Sequence, residues 1–171
     1  VHGVRVEPHE GFLSDHYDPS ARVVRLSPDV YHGRSISAVG VAAHEVGHAI
    51  QDAKGYAPMR LRQELVGPAN LGSNFAYIII IAGFLLHATV MVWAGIVLFS
   101  AVVAFQAVTF PVEWDASRRA KRLLVETGIV SQRESGGVAR VLNAAALTYF
   151  AALLSSVLTL LYFVLRATAR R

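Results

Sequence analysis

The sequence predicts a mainly α-helical integral membrane protein with a small N-terminal β-hairpin. Three observations carry that reading. From Phe75 to Pro111 no residue has a formal charge, a run nearly twice the roughly 20 residues that cross a bilayer as a helix. A second apolar stretch runs from Asn143 to Leu165. Residues 1–31, by contrast, mix short alternating runs with turn residues, the pattern of strands. The apolar fraction of 54% and mean hydropathy of +0.43 are both high for a soluble chain.

Taken in order, Val4 and Val6 alternate with polar residues, and Arg22-Val23-Val24-Arg25-Leu26 reads as a strand. The turn-rich stretch Asp15-His16-Tyr17-Asp18-Pro19-Ser20 between them predicts a hairpin through Asp18-Pro19, and Ser27-Pro28-Asp29 a further turn. A helix is expected from about Ser35 to Asp52, capped by Ser35 or Ser37. Its apolar part, Ile36 to Ala43, is too short to span a membrane. A short helix follows from Met59 to Val66 and stops at Gly67-Pro68. Asn74–His87 and Thr89–Phe110 read as two apolar helices with a tight link near His87-Ala88, so the chain returns to the side it left. Pro111 suits the first turn of a new helix through Glu126. Ser131-Gln132-Arg133-Glu134 has the capping-box pattern, and a third span is expected from about Val138 to Arg166.

His44-Glu45-Val46-Gly47-His48 is the chemically informative stretch. Imidazoles four residues apart share one side of a helix and can grip one metal ion. Glu45, about a quarter turn away, is placed to hold a water polarised by that metal. This is the H-E-x-x-H arrangement of zinc hydrolases: two nitrogen ligands, a general base and an open coordination position. The flanking Val41, Ala42, Ala43, Ala49 and Ile50 carry no charge, as a buried metal helix requires.

A third protein ligand is needed, and three arrangements can be tested. A metzincin-type extension needs glycine at 51 and histidine at 54, where Gln51 and Lys54 stand. An intramembrane site of the site-2 type needs an aspartate within a span, and none of the apolar segments has one. A gluzincin-type site needs a glutamate on a later helix on the same side, and Glu113, just after the hairpin returns, meets that need. The metal set read from the sequence is therefore His44, His48 and Glu113 around Zn2+, with Glu45 as the catalytic base.

The chain resembles the YugP-like neutral zinc metallopeptidases, a group of membrane proteins. The likeness rests on Leu13-Ser14-Asp15-His16-Tyr17-Asp18-Pro19, Val30-Tyr31-His32-Gly33-Arg34-Ser35, Ala42-Ala43 through Gln51, Pro111-Val112-Glu113-Trp114-Asp115-Ala116-Ser117 and Val141-Leu142-Asn143-Ala144-Ala145-Ala146-Leu147-Thr148-Tyr149. It implies a zinc-dependent peptidase distantly similar to HtpX and the CAAX prenyl proteases. There are two departures. The N-terminal membrane helix usual in the family is absent, and the segment opens at Val1, so a further N-terminal piece is expected. Thermolysin-like sites often have an aspartate four residues after the ligand glutamate, where this chain has Ser117. Asp115 or a backbone carbonyl is the expected substitute for orienting a histidine.

The resulting expectation is a zincin-like metal helix with three transmembrane helices. The β element and metal helix occupy 1–70, the transmembrane hairpin 71–110, the ligand-glutamate helix and connection 111–142, and the third span with its basic tail 143–171. The function read from it is a membrane-embedded zinc endopeptidase acting on peptide or protein substrates, with the lipid bilayer as the other partner. The strand Val23–Leu26 is a candidate for pairing with an extended peptide. A non-catalytic membrane protein with a structural zinc site is the first alternative, and a metal-handling protein the second. Glu45 argues against both, and a transporter would need polar residues in its spans, where Gln106 is the main one.

Other residues read more simply. His16 and His32 suit hairpin-stabilising or surface roles, His87 the hairpin tip, and Trp93 and Tyr162 packing or lipid contact. Asn143 and Tyr149 are weaker candidates for stabilising an oxyanion. The net charge of +4 would suggest nucleic acid in a soluble domain. Here the basic residues flank apolar segments, which points to lipid headgroups and not to nucleic acid. Lys54, Arg60, Arg62, Arg118, Arg119, Lys121, Arg122, Arg133 and Arg140 lie on the metal side, so the positive-inside rule places the site in the cytoplasm of a multi-pass cell-membrane protein. Arg166, Arg170 and Arg171 fall on the opposite side. The absence of cysteine excludes disulfides and thiolate ligands. Oligomeric state and cleavage specificity are not legible.

Overall fold

The computed structural model describes residues 3–12 and 14–169; Leu13 of the first resemblance block, the opening at Val1, and Arg170 and Arg171 of the basic tail lie outside them. The order is β1 (Arg5–Pro8), β2 (His16–Asp18), β3 (Val23–Leu26), α1 (Pro28–Tyr31), α2 (Ile36–Ala53), α3 (Ala57–Leu85), α4 (Thr89–Glu126) and α5 (Gln132–Thr168). The protein is mainly helical with a small N-terminal sheet, as expected. Its contacts divide it into two compact units, one of residues 1–57 and 112–147, the other of residues 58–111 and 148–171.

In the first unit the chain does reverse after Asp18, but the first strand of that hairpin is β2, part of the stretch expected as a turn, and it pairs with β3 with Tyr17 opposite Val24. β1 adds in parallel on the far side of β3, giving the order β1-β3-β2. The strand Val23–Leu26 is therefore central and has no free edge, which corrects the expectation that it pairs with a peptide. Val23, Val24 and Leu26 are buried. The stretch Ser27-Pro28-Asp29 expected as a turn opens the one-turn helix α1. α2 begins where Ser35 accepts a hydrogen bond from the Ala38 N–H at 3.1 Å. Its small apolar face joins a core of Ala43, Ala120, Leu124, Val130, Val138 and Leu142.

Two proline expectations are corrected. Met59–Val66 and Asn74–His87 are one continuous helix, α3, with Pro68 inside it. Thr89–Phe110 and the helix expected to begin at Pro111 are likewise one helix, α4. Proline takes the donor from the carbonyl four residues before it. Glu64, Ala107 and both prolines are exposed, so neither ring is wedged against a packed neighbour. α5 also starts six residues earlier than the expected Val138. The capping box forms, with the Ser131 N–H donating to Glu134 Oε2 at 3.0 Å and the Glu134 N–H to Ser131 Oγ at 3.4 Å.

The second unit contains the hairpin of α3 and α4, whose link holds His87 at a positive φ of 54°. Gly83 abuts Val92, and Gly72 abuts the backbone of Leu98; the reversed order of these pairs makes the helices antiparallel. Glycine permits this closeness, since a Cβ on Gly72 would lie 2.6 Å from the Leu98 carbonyl oxygen, the small-residue packing of membrane helices. Ile80, Val92, Ile96 and Ala167 form the centre, and Trp93, Leu160 and Phe163 pack against it. Ile78, Ile81, Val97, Leu158, Leu161 and Tyr162 are exposed. α3, α4 and α5 are each long and apolar enough to cross a membrane, and large apolar side chains on the outside of such helices are what lipid contact requires.

Candidate metal centre

The α2 spacing sets His44 and His48 one turn apart, with ring centroids 4.7 Å from each other. The site exists because α4 comes unusually close. A Cβ on Gly47 would stand 2.6 Å from the Ala116 carbonyl oxygen, so only glycine between the two metal-helix histidines permits this approach. Glu113 Oε2 then lies 3.0 Å from His44 Nε2 and 3.5 Å from His48 Nε2. Among the described residues, His44, His48 and Glu113 form the one group of three such side chains that could hold a metal ion, with donor atoms all within 4.8 Å of one another.

These residues fit zinc. Zn–N and Zn–O bonds of about 2.1 Å in a tetrahedron separate neighbouring donors by roughly 3.4 Å, and the two distances to Glu113 bracket that value. The donor set of two imidazoles and one carboxylate leaves a fourth position, and it contains no thiolate.

The ring nitrogens on the other side are also fixed. Gln51 donates from Nε2 to the Val112 carbonyl at 2.8 Å and to Asp115 Oδ2 at 3.0 Å. Its Oε1, 3.0 Å from His48 Nδ1, can only accept. His48 must therefore carry its proton on Nδ1, and as a neutral ring it offers the Nε2 lone pair to a metal. His44 Nδ1 lies 3.1 Å from Ser117 Oγ, which can accept in the same way. Asp115 is held in turn by Arg118 at 3.0 Å and by Arg119 at 2.5 Å.

The expected substitute for the missing aspartate is thus corrected. Ser117 itself reaches His44, and Asp115 reaches His48 only through Gln51. Sequence reasoning missed both Gln51 and Ser117 as orienting groups. The available signal was spacing: Gln51 lies three residues after His48 and Ser117 four after Glu113, each one turn along the same face. Gln51→Met keeps the side-chain volume and removes the amide. We expect zinc affinity to fall about 10–100-fold in competition with a chromophoric chelator; an unchanged affinity would show that the amide has no orienting role.

Glu45 is 8% exposed. Burial pushes its carboxyl above the usual range, against the pull of the His48 and His44 imidazoles. Burial alone would lower His48, but its hydrogen bond to Glu113 and that carboxylate's charge raise it in the metal-free site. Asn143 is exposed and its Oδ1 accepts from Lys121 at 2.8 Å. His16 holds its own turn through Nδ1, 2.7 Å from the Ser14 carbonyl, and His32 caps α1. Both match their structural readings.

The sequence model of the family described as "Putative neutral zinc metallopeptidase" matches residues 1–168. The chain is 50% identical over 165 residues to the "Putative membrane protease YugP" of Bacillus subtilis (strain 168), a match covering 96% of this chain and 73% of that protein. No solved structure matches it.

Proposed function

Since the chain belongs to the neutral zinc metallopeptidase family, we propose that it is a membrane-embedded endopeptidase whose metal is held by His44, His48 and Glu113 and whose general base is Glu45. The observation that carries this reading is the Gln51 amide, which commits the His48 Nε2 lone pair to the side where Glu113 stands. A zinc ion held there would supply a Lewis acid for a peptide carbonyl and would acidify a water. The role of Glu45 would be to hold a proton at its carboxylate and pass it to the leaving amine. Its near-complete burial favours this work, because a carboxylate poorly solvated by bulk water is a stronger base. Gln51 and Ser117 hold the rings in place through the cycle.

The test is removal and return of metal. Dialysis of the detergent-solubilised protein against a zinc chelator should abolish cleavage of an unfolded model protein, and equimolar zinc should restore it. Full cleavage by protein shown to be zinc-free would contradict the reading.

The site is proposed to face the cytoplasm, on the charge bias of the segments flanking the spans. Because the chain has no cysteine, a single Arg133→Cys variant gives a clean probe. In intact cells it should resist a membrane-impermeant maleimide and react once the cells are opened; labelling in intact cells would reverse the orientation.

A further inference from the structure

Where the end of α2 meets the last turns of α4, a cleft of about 440 Å³ carries a charge excess that the metal centre does not use. Lys54, Arg118, Arg119 and Arg122 line it, with Asp115 and Glu126 as the only carboxylates on its wall. Four cations thus face two anions. Asp115 engages one nitrogen of Arg118 and Nε of Arg119, so each guanidinium keeps further donors. Glu126 is a loose partner for Arg122 at 3.8 Å. Lys54 has no ion-pair partner among the described residues.

Arg119 is also preorganised. Its side chain is 24% exposed, is tied to Asp115 and lies over the Tyr56 ring at 5.8 Å, so little freedom remains to be lost on binding. Three guanidinium groups and an ammonium around one cavity suit the oxygens of a phosphate group. Along α4, Arg118 stands seven residues beyond Pro111, where the uncharged run ends, about 10 Å of helix and so near the level of lipid headgroups.

We propose that this cleft is a binding site for a phosphate group, of the kind carried by an acidic phospholipid headgroup. The site is separate from the metal and does not depend on the peptidase reading. Its inner wall, Asp115, is nevertheless the residue that steadies Gln51 behind His48, so an occupied cleft adjoins the support of a metal ligand.

Native mass spectrometry of the full chain, released from detergent containing equal amounts of phosphatidylglycerol and phosphatidylcholine, tests the proposal. The parent should retain phosphatidylglycerol preferentially. Lys54→Gln/Arg122→Gln, which removes two exposed charges from the cleft, should reduce that retention on the order of tenfold. Arg133→Gln/Arg140→Gln, an equal loss of charge outside the cleft, should change it less than about twofold. Displacement of the lipid by millimolar inorganic phosphate would assign the site to phosphate itself, and retention against it would assign the headgroup. Equal retention of the two lipids with no binding of inorganic phosphate, or an equal loss in both double variants, would overturn the proposal.

Discussion

Glu45→Gln is expected to keep its zinc and lose hydrolysis of an unfolded protein by about 10²–10⁴-fold, the usual contribution of a positioned general base. The substitution removes one charge and almost no volume, so the packing of α2 should survive. The neutral amide cannot take a proton from water. It also ends the desolvation penalty of a carboxylate 8% exposed, so melting temperature should hold or rise. A structural zinc site would share the retained zinc and fold and would differ in one respect: the substitution would leave any cleavage unchanged. Cleavage by the variant as fast as the parent would remove Glu45 from the chemistry.

Glu113→Ala is expected to have the opposite profile, losing metal first and activity as a consequence. A zinc site contributes roughly 10–16 kcal/mol over four ligands, so one carboxylate accounts for about 3 kcal/mol, on the order of 100-fold in affinity. The real loss should be larger, because Glu113, 2% exposed, is also the group that gathers both imidazoles. Removing it leaves His44 and His48 without the carboxylate they share. Competition with a chelator should register the change, and excess zinc should rescue only part of the cleavage. An affinity equal to that of the parent would mean the carboxylate is not a ligand.

Much of this was legible because it depends on local pattern. The apolar runs predicted three membrane-spanning helices, Ser35 the start of α2, and Ser131 with Glu134 a capping box, although α5 starts at that box and not at the expected Val138. Two imidazoles one turn apart are set by helix geometry alone. Glu113 could be singled out because the alternatives needed residues absent at 51 and 54. What was not legible depends on contacts distant in sequence. α3 continues through Pro68 and α4 through Pro111, both exposed, and no local rule reports that exposure. β1 covers β3 by a parallel pairing, so the strand that looked available to a peptide is central. Ser117 and Gln51 become orienting groups only because Gly47 lets α4 approach to backbone contact. A sequence gives their spacing but not that closeness.

The central claim is that one zinc ion joins α2 to α4 through His44, His48 and Glu113, and elemental analysis of the purified chain tests it most directly. The account predicts one zinc per chain in the parent and in Glu45→Gln, and little or none in Glu113→Ala after the same purification. A parent with no stoichiometric zinc, or a Glu113→Ala protein that retains a full equivalent, would contradict it.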